Sequence, residues 1–197
     1  MKQIVIASNN QGKLRELEAM LGPLGIETVA QAALGVEETE EPHDTFLENA
    51  LAKARHASRA TGLPALSDDS GLCVPALNGE PGVHSAYFAG REGTREERDA
   101  RNNAQLIERL TPLAERGAFY YCVLVLIRSA DDPVPLVADG RWHGTIILQP
   151  RGSGGFGYDP CFMPDGSRLT AGELPSEQKN RVSHRAQALS ALAAKLK

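Results

Sequence analysis

Two adjacent carboxylates, Asp68 and Asp69, close a short apolar run in the stretch Leu66-Ser67-Asp68-Asp69-Ser70-Gly71. Paired acids can hold a divalent cation or activate a water, and here they stand where a strand would hand over to a loop. Neighbouring strand positions point to opposite faces, so two acids in a row predict that the chain is leaving the sheet, where α/β proteins tend to place chemistry. A solvated turn is the competing reading, because Asp-Asp-Ser-Gly suits one equally well.

Three further stretches bear on that choice. Ser8-Asn9-Asn10-Gln11-Gly12-Lys13 follows an apolar run at 4–7 and precedes Leu14, Leu17 and Leu21 at helical spacing. It therefore reads as a loop opening a helix, with backbone N–H groups left free for a phosphate and a lysine nearby. With Ala7 where the first glycine should stand, it is not a Walker A loop. Residues 150–160 hold four glycines, which permit close backbone approach, together with Phe156 and Tyr158, which offer flat faces for a base. Residues 177–185 crowd donors, among them Lys179, His184 and Arg185, ahead of a last helix for which Ser183 is the expected N-cap.

The elements that must position these groups follow from periodicity and punctuation. Strands are expected at 4–7, 27–30 and 63–66, the last delivering Asp68 and Asp69 to a loop. A helix over 45–61 opens on Thr45 with Glu48 and ends at Gly62. On it Asn49, Lys53 and His56 share one face, from which Lys53 can reach a ligand. The acidic patch Glu37, Glu38, Glu40 and Glu41 reads as a wet loop. Residues 75–93 form an ordered loop, and a third helix starts at Thr94. Runs at 118–127, 134–138 and 141–148 read as strands, with turns at Asp131-Asp132-Pro133 and Asp139-Gly140. Such short links imply antiparallel pairs, so the sheet is mixed.

Composition narrows the function classes. A chain of 197 residues fits one domain, or one with two lobes, and its net charge of −4 argues against a broad nucleic-acid surface. Cys73, Cys122 and Cys161 are far apart with no C-x-x-C spacing, which speaks against a zinc site or a disulfide framework and for a reducing compartment. The longest apolar run is about half the length a bilayer helix needs. The first residues lack a signal-peptide layout. The expectation is a cytoplasmic protein without membrane or nucleic-acid partners.

Five motifs in chain order give the constellation a specific likeness: Ser8-x-Asn10-x-x-Lys13; Glu41 with Thr45-Phe46-x-Glu48-Asn49-Ala50-x-x-Lys53-Ala54; Ser67-Asp68-Asp69-Ser70-Gly71-Leu72; Gly154-Gly155-Phe156-Gly157-Tyr158-Asp159-Pro160; and Lys179-Asn180 with Ser183-His184-Arg185. With these the chain resembles the inosine triphosphate pyrophosphatase family over essentially its whole length. The resemblance implies an α/β fold built on an elongated mixed β-sheet with flanking helices forming two lobes, with residues 1–197 as a single pyrophosphatase domain. It implies hydrolysis of ITP, dITP and XTP to the monophosphate and pyrophosphate, with Mg²⁺, by a homodimer.

By the same resemblance Asp69 is the general base. Glu41 and Asp69 sit at the metal, with Glu40 the alternative to Glu41 and Asp68 sharing the task. Lys13 and Lys53 meet the triphosphate, with Ser8, Asn9, Asn10, Gln11, Gly12 and Ser70 alongside. Phe156, Gly157, Tyr158, Asp159, Lys179, His184 and Arg185 hold the base. Two positions depart from the family pattern: His43 stands where a glycine usually precedes Asp44, and Ser85-Ala86-Tyr87 replaces a Ser-Ala-Arg stretch, leaving Arg91 or Arg95 to substitute. The rival readings are a Maf-type pyrophosphatase of other nucleotides and a sensor that binds a nucleotide without turnover.

Overall fold

A computed structural model of the chain describes residues 3–196. Its strands are β1 (Gln3–Ile6), β2 (Glu27–Ala30), β3 (Ala65–Cys73), β4 (Gly117–Ile127), β5 (Leu136–Ile146) and β6 (Phe162–Pro164). The helices are α1 (Gln11–Leu21), α2 (Phe46–Thr61), α3 (Arg95–Leu110), α4 (Ser176–Val182) and α5 (His184–Lys195). Local chemistry sets the helix ends. The Asn10 side chain caps α1, Thr45 caps α2, and Thr94 with Glu97 closes a reciprocal capping box on α3, each cap contributing about 1 kcal/mol. Gly62 ends α2 at φ 71, the left-handed conformation that glycine adopts without strain.

The strand order is β2-β1-β3-β4-β5-β6. Strand β1 runs parallel to β2 and β3, and β5 pairs antiparallel with β6, so the sheet is mixed as expected. The chain divides into two compact units, one of Met1–Asp69, Cys122–Gly140 and His184–Lys197, the other of Ser70–Tyr121 and Arg141–Ser183. Strands β3, β4 and β5 each contribute to both. Each unit has its own core. In the first, Ile4, Ile6, Leu66 and Leu124 pack with Leu14, Leu17 and Leu192. In the second, Leu72, Trp142 and Phe162 pack with Leu106 and Leu110, and the Tyr120 ring meets Phe162 edge-on at 4.8 Å. Among the described residues no helix is long and apolar enough to cross a membrane.

Three local expectations are corrected. Strand β3 does not end at the acids but continues through both to Cys73, because each carboxylate finds a cation on its own side of the strand. Asp139-Gly140 is no turn; it lies inside β5. A Cβ on Gly140 would stand 2.7 Å from the Ala188 backbone nitrogen of α5, so this glycine serves close packing rather than reversal. The donor-rich stretch contains a helix of its own, α4; Ser183 is its C-cap, its N–H donating to the Lys179 carbonyl at 3.0 Å, and with extended backbone it also stands directly before His184, where α5 opens. Apolar periodicity misses α4 because the residue it buries is the lysine.

Candidate functional site

The reason a strand can carry two consecutive acids is visible around Asp68 in the first unit. Arg185 Nε donates to Asp68 Oδ2 at 2.7 Å and Nη2 to Oδ1 at 3.3 Å. Lys13 Nζ stands 2.7 Å from Oδ1, and the Cys122 thiol donates to Oδ2 at 3.2 Å. Arg185 is also ion-paired with Glu16. Asp68 and Arg185 are both fully buried. Burial alone would raise the Asp68 carboxyl, but the Arg185 guanidinium, and after it the Lys13 ammonium, holds it well below the usual carboxylate range. Such a buried cluster is tolerable only because every charge is paired and hydrogen-bonded.

On the other side of the strand the face of α2 carrying Asn49, Lys53 and His56 gathers the acidic segment. The Asn49 amide both accepts from the His43 N–H (3.1 Å) and donates to the His43 carbonyl (3.0 Å), while His56 Nε2 lies 3.0 Å from the Glu37 carbonyl. Between them Lys53 Nζ donates to Glu41 Oε1 at 2.5 Å and to Asp69 Oδ1 at 2.7 Å. The patch is therefore docked rather than a free wet loop. Glu41 joins the centre; Glu40 stays exposed outside it.

Asp69 is 5% exposed, and its second oxygen, Oδ2, is buried with no hydrogen-bond partner among the described residues. Burial raises its carboxyl above the ordinary value, overcoming the opposing pull of Lys53 and Lys13. Glu41 moves the other way: burial would raise it, but Lys53 brings it below the usual range. Lys53 itself is held protonated by Asp69 and Glu41 against the burial that would lower it. Among the described residues no group of three or more His, Cys, Asp and Glu could hold a metal by itself. Two carboxylates with one unsatisfied oxygen do suit Mg²⁺, which is commonly held by one or two carboxylates and completed by waters and phosphate oxygens.

The loop before α1 is more occupied than its sequence implies. Asn10 Oδ1 accepts from the Gly12 and Lys13 N–H groups at 3.0 and 3.1 Å. Ser8 Oγ accepts from Asn10 N at 3.2 Å, and Glu38 takes the Asn9 N–H at 3.0 Å. Those N–H groups are satisfied within the chain, so Lys13, not an open nest of amides, is the loop's main resource for an anion. Gln11 is exposed at the start of α1, and Ser70 lies half-buried on β3.

In the second unit the glycine-rich loop is organised by Asp159, which is 2% exposed. Its Oδ2 accepts from Lys179 Nζ at 2.7 Å and from the Phe156 N–H at 2.8 Å, while Oδ1 accepts from the Tyr120 hydroxyl at 3.2 Å. Gly155 is required there: a Cβ on it would run into the Asp159 carboxylate. Lys179 Nζ also lies 4.8 Å from the centre of the Phe156 ring, within cation–π range. Tyr158 is buried in the core, its hydroxyl donating to the Ser85 carbonyl at 2.9 Å. Of the two aromatics expected to offer flat faces, only Phe156 stays out of the core, half-buried and with Lys179 and Arg95 over its ring. His184 and Arg185 open α5 in the first unit, both buried, with the Arg185 guanidinium committed to Asp68 and Glu16.

Sequence reasoning passes over Glu16, Asp99, Asn103 and Tyr120, although each contacts a residue it singled out. Only Asp99 and Asn103 carry a usable signal, their i, i+4 spacing on α3. Arg91 and Arg95, suggested as substitutes near Tyr87, stack on rings instead: Arg91 lies over Tyr87 at 4.4 Å and Arg95 over Phe156 at 4.9 Å.

Fold and site together define the class: an α/β protein on a mixed sheet, with a lysine-bridged carboxylate pair suited to a phosphorylated ligand and a held aromatic loop suited to a planar base. The chain belongs to the Ham1 family, whose profile matches residues 4–195. It is 62% identical to a dITP/XTP pyrophosphatase of Burkholderia pseudomallei over 98% of this chain and 93% of the relative. Another dITP/XTP pyrophosphatase, of Ralstonia nicotianae, is 57% identical over 100% of this chain and 98% of its own. Among solved structures, a HAM1 protein from Coxiella burnetii superposes with a TM-score of 0.90 at 44% identity, covering 100% of this chain and 98% of that one. The Staphylococcus aureus Ham1 protein gives 0.85 at 36% identity, covering 99% and 98%. The likeness read from the five motifs is borne out.

Proposed function

We propose that this protein is a nucleoside triphosphate pyrophosphohydrolase that converts dITP, ITP and XTP to the monophosphate and pyrophosphate. The observation that carries the reading is the Asp69–Lys53–Glu41 centre, in which two carboxylates meet on one ammonium and Asp69 keeps an oxygen with no hydrogen-bond partner among the described residues. The name shared by the similar relatives supplies the substrate class.

Glu41 and Asp69 would hold the Mg²⁺, with Asp68 kept from it by Arg185 and Lys13. Bound there, the ion supplies charge neutralisation at phosphate and a more acidic water. Asp69 Oδ2 accepts the proton of the attacking water; the water oxygen bonds to the α-phosphorus while the bond from that phosphorus to the bridging oxygen breaks and pyrophosphate leaves. Burial raises the Asp69 carboxyl above its ordinary value whereas Lys53 brings Glu41 below its own, which makes Asp69 the stronger proton acceptor of the two. Lys53 and Lys13 bring positive charge for the leaving group. Selection of the base rests on Phe156 for stacking and on the Lys179 ammonium beside it. Hypoxanthine and xanthine present an oxo acceptor at position 6 where adenine presents an amino donor, and a buried donor facing a donor goes unpaired.

We read the chain 1–197 as one pyrophosphatase domain acting in the cytoplasm, as a homodimer; three free, buried cysteines suit a reducing compartment. The test is pyrophosphate release from XTP, dITP, ITP, GTP, ATP and dTTP with Mg²⁺. Release from XTP and dITP should exceed that from ATP by ~10⁴-fold. Dominant release from dTTP would favour the Maf-type reading, tight binding without release the sensor, and no release from XTP or dITP would end the proposal.

A further inference from the structure

Helix α3 holds the glycine-aromatic loop with a stripe of side chains that the reaction as described does not use. Arg95, Asp99 and Asn103 stand at i, i+4 and i+8, which places them on one side of the helix. All three reach the Phe156-Gly157 step. Asp99 Oδ2 accepts the Gly157 N–H at 2.8 Å, and Asn103 Nδ2 donates to the Gly157 carbonyl at 2.8 Å and to the Asp99 carbonyl at 2.8 Å. The Arg95 guanidinium lies 4.9 Å from the Phe156 ring centre, and its Nε is 3.8 Å from the same Asp99 oxygen.

Both backbone groups of one glycine are therefore held by two side chains of one helix. Gly157 has a φ of 63, a left-handed conformation that neither a strand nor a helix ladder can stabilise. From its other end the same segment is held by Asp159, which takes the Phe156 N–H at 2.8 Å. The helix is itself a firm platform. Its Leu106 and Leu110 are fully buried, Thr94 and Glu97 cap it, and the Asn102 amide ties it to the Ala89 N–H at 2.7 Å and to the Ser85 carbonyl at 3.2 Å.

We propose that Arg95, Asp99 and Asn103 form a clamp on the glycine-aromatic loop that fixes the plane of Phe156 and thereby sets selectivity for the purine base. The selectivity half of this rests on the pyrophosphatase reading above. Asp99 and Asn103 are positioning residues, since they bind loop backbone rather than substrate. The Arg95 guanidinium, 4.9 Å from the Phe156 ring centre, is close enough to meet a base bound beside that ring, and its planar donor fork favours bases rich in oxo acceptors, xanthine above hypoxanthine, over those that present amino groups.

The test uses the full chain with Asp99→Ala and Asn103→Ala, and with Asp99→Asn, which keeps an acceptor for the Gly157 N–H. Hydrogen exchange of the Gly157 amide, followed by NMR, reports the clamp without reference to turnover. We expect protection in the parent protein, exchange at least tenfold faster in Asp99→Ala, and recovery in Asp99→Asn. In the kinetic arm, KM for XTP and dITP rises about tenfold in Asp99→Ala with kcat changing less. The dITP-over-ATP preference narrows, and Asp99→Asn restores most of both. A Gly157 amide that exchanges freely in the parent protein overturns the clamp. Faster exchange in a variant that keeps parental KM and preference overturns its role in selection. Uniform changes in kcat and KM for all substrates, together with a lower melting midpoint, overturn it in favour of a plain folding role. Should the parent protein release no pyrophosphate from XTP or dITP, the pyrophosphatase reading fails, while exchange at Gly157 still decides the clamp.

Discussion

Asp69 in the first unit and Asp159 in the second are both buried carboxylates 2.7 Å from a lysine ammonium, yet they are finished differently. Asp159 has bonds on both oxygens, from Lys179, the Phe156 N–H and the Tyr120 hydroxyl. Asp69 has Lys53 on one oxygen and no partner on the other among the described residues. A saturated carboxylate is an anchor, and a buried polar atom left open is costly unless something else uses it. The difference teaches that a buried ion pair does not by itself mark a reactive group; the open oxygen is what singles out Asp69 as the proposed base.

The largest break in that comparison is a crossed pair of substitutions. Asp69→Asn should lower kcat for XTP by ~10²–10⁴-fold, the range for loss of a general base, with little change in unfolding free energy. Asp159→Ala should do the reverse in kind, costing on the order of 3 kcal/mol of stability because Lys179, the Phe156 N–H and the Tyr120 hydroxyl all lose the buried carboxylate that holds them. Pyrophosphate release and equilibrium urea unfolding measure the two, and equal stability losses in both variants would erase the distinction.

Next in size is Arg185→Ala. Asp68 is saturated like Asp159, so it should behave as an anchor, and losing its fully buried partner should cost on the order of 3 kcal/mol or more in urea unfolding. A loss below about 1 kcal/mol would mean that Lys13 alone sustains Asp68.

The smallest effect sharpens the picture of the second unit. Burial pushes the Cys73 thiol up to about 11 and the Cys161 thiol up to about 12, from an ordinary 9.0. A raised folded value means that the unfolded chain ionises first. This stabilisation is therefore complete below pH 9 and fades as pH climbs toward 11, by on the order of 1–3 kcal/mol. Urea midpoints at pH 8, 9.5 and 10.5 should fall accordingly, and Cys73→Ala with Cys161→Ala should flatten the slope.

Much of this molecule is legible in its sequence, for identifiable reasons. The boundaries of α2 and α3 follow from Thr45, Gly62 and Thr94, since capping is settled within a few residues. The mixed sheet follows from helix-linked strands at the start and short links later, and the family from five motifs in order. Where local rules failed, a distant partner intervened. Two adjacent acids read as a strand end because no local cation is in view, and Arg185, 117 positions away from Asp68, is what lets β3 continue. Gly140 read as a turn because its packing against α5 is invisible to its neighbours.

What the sequence by itself determined is the inventory: a pair of acids, two lysines spaced to reach them, an aromatic in a glycine-rich loop, and caps that place the helices. Only the tertiary structure separated the surroundings of the two acids. Asp68 and Asp69 have the same side chain and almost the same neighbours in sequence. Alternation on the strand sends one to Arg185 and Lys13 and the other to Lys53. The number of donors waiting on each face then leaves the first saturated and the second with an oxygen to offer.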